Sequence, residues 1–259
     1  MQSANGMPEN IDRWRSDIVA ATRFLTRIQI GRSEQLHTNL STAARIFPFI
    51  GAVVGLIGGL VFGFASFIGM PPFISALIAL GATILITGAL HEDGLADTAD
   101  GIGGGTTAAA RLTIMRDSQI GVFGGLALLL SVLARVGALT ALSDPWLVAA
   151  ALIAAGSLSR GILPWIMSRV ELASVTGVAA AVGKPSTGTA AISAVFGGVL
   201  SVLCLGPTQG IIVLALAVMA AWLGGRLARR FLGGYNGDLL GAVQQSVEIV
   251  VLLGAVALV

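Results

Sequence analysis

From residue 46 onward the chain is a succession of apolar runs broken by short polar stretches. Most of these runs approach the roughly 20 residues that an α-helix needs to cross a bilayer. In hydrocarbon the backbone must satisfy its own N–H and C=O groups, so such runs are expected as helices. Seven can be drawn, over residues 46–68, 73–90, 120–142, 146–167, 190–205, 210–224 and 240–259. Charged residues make up 11% of the chain, against about a quarter in a soluble domain. The expected fold is an all-α, polytopic membrane helical bundle with about seven transmembrane helices.

The basic residues set its orientation. Of 15 Lys and Arg residues, all but Arg135 and Arg160 fall before the first run or after the second, fourth and sixth. The turns at Met70, Ser143 and Gly206 carry none. The positive-inside rule then puts the N-terminus and every long loop in the cytoplasm. Trp146, Trp165 and Trp222 fall near span ends, as interfacial anchors do. Residues 1–45 read as a cytoplasmic or interfacial N-terminal segment and 46–259 as the integral membrane catalytic domain. In the former, Phe24, Leu25 and Ile28 share a helical face flanked by Arg23 and Arg27, which suits a helix on the membrane surface or a solvated lead-in. No secretory signal is evident. Asn39 begins a short glycosylation-like triplet that carries little weight. The single cysteine, Cys204, reads as a buried small residue and excludes a disulfide framework.

Gly51, Gly55, Gly59 and Gly63 recur every fourth residue, so one face of the first span admits close approach by another helix. The partner is expected within the chain, with a dimer as the alternative. Arg135, Arg160 and Glu248 fall inside spans three, four and seven. Charges at that depth face a bundle interior or a polar cavity, as an internal ion pair or as an anion-binding wall with Arg160 foremost.

One stretch departs from the apolar pattern. Residues 91–118 contain HEDGLADTAD, then GIGGG, then RLTIMRDS. On a helix, Asp93, Asp97 and Asp100 project within roughly 60° of one another, and Glu92 is a weaker member of the group. Clustered carboxylates repel, and a hard divalent cation relieves that conflict. A solvated acidic helix end is the plain alternative. The glycine run, including Gly103 and Gly104, offers backbone N–H groups to an anion. With Arg111 and Arg116 nearby, it suggests phosphate held between cation and guanidinium. His91-Glu92 lacks the second His of a zinc protease, and Gly177 to Lys184 has one residue too many for a P-loop.

These residues resemble a known family. "LHEDGLADTADGIGGG" followed by "RLTIMRDSQIGVFG" is similar to the signature of the cobalamin synthases, the adenosylcobinamide-GDP ribazoletransferases. "FLTRIQI", "FPFIGAVVGLIGG", "SLSRGILPW" and "LGGYNGDLLGAVQQSVE" extend the likeness over nearly the whole chain. The resemblance implies a Mg²⁺-dependent integral membrane enzyme that carries out the last step of nucleotide-loop assembly. Its substrates would be adenosylcobinamide-GDP and α-ribazole or α-ribazole 5′-phosphate. A ribazole hydroxyl attacks the cobinamide phosphoryl group, and GMP leaves. The partners implied are these substrates and the lipid bilayer. No nucleic acid is expected, and a homo-oligomer is left open. The location implied is the cell inner membrane, with the site on its cytoplasmic face.

Roles follow from the resemblance and the residues together. Asp93, Asp97 and Asp100, with Glu92, are expected to hold Mg²⁺. Gly103, Gly104, Arg111, Arg116 and Arg160 are expected to hold phosphate oxygens. His91 or Asp117 would accept the ribazole hydroxyl proton, although His91 suits a structural hydrogen bond equally well. Asp238, in an expected loop of residues 226–238, is an outside candidate for the metal. Two other functions are weighed against this one. A phospholipid-type CDP-alcohol phosphotransferase lacks its Asp-Gly-x-x-Ala-Arg run here. A transporter using Arg135, Arg160 and Glu248 would place its acidic cluster in mid-membrane and show half-repeats.

Overall fold

The computed structural model describes residues 9–31 and 39–258. Helices account for nearly all of the architecture. A first helix, α1 (Glu9–Leu25), precedes a short lead-in of α2 (Leu40–Ala43) and a 3₁₀ turn (Ala44–Ile46). Then follow α3 (Phe47–Phe67), α4 (Pro72–Thr87), α5 (Leu90–Gly104), α6 (Ala108–Ile114), α7 (Val122–Leu142), α8 (Pro145–Gly161) and α9 (Leu163–Arg169). The chain continues through α10 (Val178–Val182), α11 (Thr187–Leu205) and α12 (Pro207–Leu227) with a π-helical turn (Ala228–Leu232), and ends in α13 (Gly237–Ala257). Among the described residues there is no strand, only an isolated bridge between Leu172 and Tyr235.

Among the described residues six helical stretches are long and apolar enough to cross a membrane, and α4 makes a seventh only if it is counted with α5. The second expected span therefore ends differently from its sequence pattern. Gly88 (φ 67°) and Ala89 (φ 58°) are both left-handed, and α5 departs at 89° to α4. With four carboxylates in 15 residues, α5 is not a span. It is a polar helix docked on the spans, chiefly α13 and α7.

The glycine stripe of α3 is consumed inside the chain. A Cβ at Gly51, Gly55 or Gly59 would run into the backbone of Gly156, Leu152 or Ala149 on α8. The falling partner numbers make α3 and α8 antiparallel. Gly161 and Gly197 allow α11 a similarly close approach to the other side of α8. Thus α8 and α13 are largely buried, whereas α7, α11 and α12 show only about a third or less of their apolar length to the protein interior. Their outward residues, such as Leu130, Leu203 and Ile211, form the kind of large apolar surface that lipid covers.

The four basic stretches meet at one end of the bundle. Arg111 donates to the Phe231 carbonyl (3.1 Å), Arg116 to Ser174 Oγ (3.2 Å) and Arg229 to the Arg169 carbonyl (3.0 Å). At this end α1 is docked rather than free. Asp17 pairs with Arg45 at 2.6 Å, Leu25 is buried, and Phe24 stacks on Phe47 with centroids 5.7 Å apart. Ile28 lies beyond the end of α1 and is exposed, so the expected Phe24-Leu25-Ile28 face does not form.

Candidate active site

The site is assembled where α5 crosses the first turn of α13. Asn236 caps α13 by accepting from Leu239 N–H at 3.0 Å, so the helix begins inside the stretch expected to be a loop. That cap places Asp238 in the first turn, beside α5. The crossing is close because glycines face each other. A Cβ on Gly94 would lie 2.7 Å from the Asp238 carbonyl oxygen, and one on Gly241 would lie 3.2 Å from Gly94 Cα.

The outer side of this crossing carries Asp93, exposed, with Asp97 and Asp238, both half-buried. Burial, and then the charges of Asp93, Asp238 and Asp100, push the Asp97 carboxyl up to about 6. Asn236 Nδ2 donates to Asp238 Oδ2 at 2.9 Å, which fixes that carboxylate. Among the described residues no three His, Cys, Asp or Glu side chains already stand as a metal cage.

The structure divides the rest of the expected acidic group. Glu92 points inward. Its Oε1 accepts from Arg135 Nη1 (2.9 Å) and Gln245 Nε2 (3.2 Å), so it belongs to an ion-pair network and not to the outer carboxylate face. Asp100 is also engaged elsewhere, since its two oxygens accept from Gly121 N–H (2.7 Å) and Gly124 N–H (2.8 Å), capping the start of α7. A carboxylate is favourable there because the helix N-terminus has unsatisfied donors and a positive dipole end.

The inward network joins four helices. Arg135 also reaches Glu248 (3.4 Å), and Arg160 pairs with the other Glu248 oxygen (3.3 Å). Gln244 donates to Glu248 and to Ser159 Oγ, and Ser131 donates to Gln245 Oε1 at 3.0 Å. Two arginines and two glutamates balance, which is how ionisable groups at such depth are tolerated. The internal pair is therefore the observed role of Arg135, Arg160 and Glu248. Arg160 is engaged in this network with Glu248.

Gly103, Gly104 and Arg111 are also engaged in packing, whereas Arg116 is not. Gly103 and Gly104 form the closing turn of α5, so their N–H groups serve the helix. Gly103 lets the Phe123 ring pack close, since a Cβ there would meet it at 2.6 Å and displace it. Arg111 stacks over Phe231 (4.9 Å) as it donates to that residue's carbonyl. Arg116 is exposed at the surface. Asp117 is exposed and accepts from Gln119 N–H at 3.2 Å in a local turn, apart from the carboxylate group.

His91 is buried, and its Nδ1 has no partner. Burial and the nearby Arg160 and Arg135 hold it well below the ordinary imidazole range. It lines a cavity of about 140 Å³ together with Asp93 and Asp238. The remaining wall is apolar, and includes Phe24, Phe47, Leu163 and Met167. Charge patterning gives no hint of this wall, although Phe24 and Phe47 both lie in stretches that carry the family resemblance.

A family model described as cobalamin-5-phosphate synthase matches residues 17–256. The chain belongs to that family. It is 44% identical to the adenosylcobinamide-GDP ribazoletransferase of Bradyrhizobium diazoefficiens over 96% of both chains. It is 41% identical to the enzyme of that name from Azorhizobium caulinodans, over 92% of this chain and 94% of the relative. A third, from Ralstonia nicotianae, is 41% identical over 90% and 91%. No solved structure matches. Membership of this family disfavours both the phospholipid phosphotransferase and the transporter, and the name its relatives carry is that of a transferase.

Proposed function

We propose that this protein joins the cobalamin nucleotide loop by transferring the adenosylcobinamide phosphoryl group from adenosylcobinamide-GDP to α-ribazole or α-ribazole 5′-phosphate. In the reaction a ribazole hydroxyl oxygen bonds to the phosphorus on the cobinamide arm. The bond from that phosphorus to the bridging oxygen breaks, GMP departs with that oxygen, and the hydroxyl proton passes to a base. The observation that carries this reading is the placing of Asp93 and Asp238 on the lining of an apolar cavity, with Asp97 close enough to feel both charges, in a chain of this family.

The donor chemistry of Asp93, Asp97 and Asp238 fits a hard divalent cation. Mg²⁺ held there would supply charge neutralisation for the diphosphate and the leaving GMP. Asp93 and Asp97 from α5 and Asp238 from α13 would hold it. His91 Nδ1, unpartnered and on the cavity wall, suits the proton acceptor. Arg116, exposed near the same end, is the candidate for an outer phosphate oxygen. The excess of Arg and Lys at this end supports a cytoplasmic site in the cell inner membrane, where nucleotides and Mg²⁺ are supplied.

The test is GMP release by purified protein in lipid, given adenosylcobinamide-GDP and α-ribazole, with Mg²⁺ and with EDTA. Metal-dependent release is expected. Release that EDTA leaves unchanged would remove the metal assignment, and no release at all would remove the reading.

A further inference from the structure

We infer that the cavity beside Asp93 and Asp238 is the subsite for the benzimidazole base of α-ribazole. This inference rests on the proposed transfer reaction. The cavity lies between α1, α3, α5, α9, α10 and α13, and its walls are nearly all hydrocarbon and aromatic ring. Phe24 and Phe47 stack near-parallel at 17° on one side, and Leu163 and Met167 form another. At about 140 Å³, it is smaller than the roughly 300–1,000 Å³ of a site for a whole drug-sized ligand. A single flat bicyclic base matches that size, whereas a corrin ring far exceeds it.

Polarity separates the two bases in the reaction. A dimethylated benzimidazole presents methyl groups, ring faces and one bare ring nitrogen. Guanine presents a carbonyl, a ring N–H and an exocyclic amine, and among the described residues the polar side chains of the lining are His91, Asp93 and Asp238 alone. Each such group buried without a partner costs about 1–3 kcal/mol, so a wall that is nearly all hydrocarbon favours the benzimidazole, which has fewer of them. His91 is the one lining imidazole, and its unpartnered Nδ1 is suited to accept from a sugar hydroxyl. Asp93 and Asp238 stand on the same wall, so a base seated here leaves its ribose beside the carboxylates. That is where the attacking hydroxyl is required.

α-Ribazole fluoresces, so its binding can be read without turnover, in lipid nanodiscs lacking adenosylcobinamide-GDP. Phe24→Ala opens the cavity and Val182→Phe fills it from α10. Phe24→Ala should weaken α-ribazole binding about tenfold, the loss expected for one aromatic contact. Its KM for α-ribazole should rise to match, with KM for adenosylcobinamide-GDP within about twofold of the unmodified protein. Val182→Phe should penalise α-ribazole more than the riboside of unmethylated benzimidazole. In the unmodified protein, free dimethylbenzimidazole should displace α-ribazole, which needs no variant to fold. Unchanged α-ribazole affinity in the variants, or a rise confined to the adenosylcobinamide-GDP KM, would overturn the inference. Absence of such displacement would do the same. α-Ribazole binding with no GMP release would instead sink the reaction and leave the subsite standing.

Discussion

Gly94 and Gly241 meet where α5 crosses α13, with no room for a side chain on Gly94 and a tight fit for one on Gly241. This contact brings Asp93 and Asp97 to Asp238 from more than 140 residues away in the chain. Gly94→Val should therefore separate the carboxylates. Overpacking of this kind is expected to cost about 1–3 kcal/mol, and GMP release should fall far more than thermal stability. Equal losses in both would mean that the crossing is structural only.

Asp97→Asn and Asp238→Asn should insert and fold normally but lose transfer by about 100-fold or more, as removal of a preorganised charge does. The check is the rate of GMP release at saturating Mg²⁺. Near-normal turnover by both would exclude this pair from the cation site.

Glu92 is expected to behave differently from Asp97. Arg135→Leu leaves Glu92 and Glu248 short of a buried counter-charge and should destabilise by about 3–5 kcal/mol. The double variant Arg135→Leu/Glu92→Leu should recover part of that loss, because Arg160 still pairs with Glu248. Thermal melts of the two singles and the double, read as a double-mutant cycle, measure the coupling. Additive losses would contradict the network.

Asp100→Ala removes a cap supplied to α7 by another helix. A stability loss of about 0.5–2 kcal/mol is expected, with a smaller effect on turnover than Asp97→Asn. Denaturation in detergent together with the GMP assay separates the two effects. A turnover loss as large as that of Asp97→Asn would return Asp100 to the cation group.

Ala89 holds a left-handed conformation at φ 58° and ψ 21°, which costs an L-residue about 1–2 kcal/mol. Ala89→Gly relieves that strain but adds chain entropy to the unfolded state, leaving a net gain of about 0.5–1 kcal/mol. The melting temperature should rise. A fall would show that the Ala89 methyl has packing value at the bend.

Much of this architecture is legible along the chain. The apolar runs, the basic stretches between them and the glycine stripe each depend on residues near in sequence, and hydropathy adds up locally. Gly51, Gly55 and Gly59 accordingly face another span of the same chain, as their spacing implies. The helical angle that groups Asp93 with Asp97 is local too. Gly103 and Gly104 depart from expectation because a glycine run looks the same whether it lets an anion in or lets Phe123 pack closely.

The sequence alone determined a bundle of membrane-spanning helices, with its basic loops on one side and a polar helix carrying the carboxylates. Tertiary structure decided which carboxylate does what. Glu92 meets Arg135 from 43 positions away, Asp100 meets Gly121 from 21, and Asp238 arrives from the last helix. The 89° bend at Gly88 and Ala89 makes those meetings possible. A carboxylate's role depends on the charge, donor or cavity facing it, and that partner is chosen by helix packing rather than by neighbours in the chain.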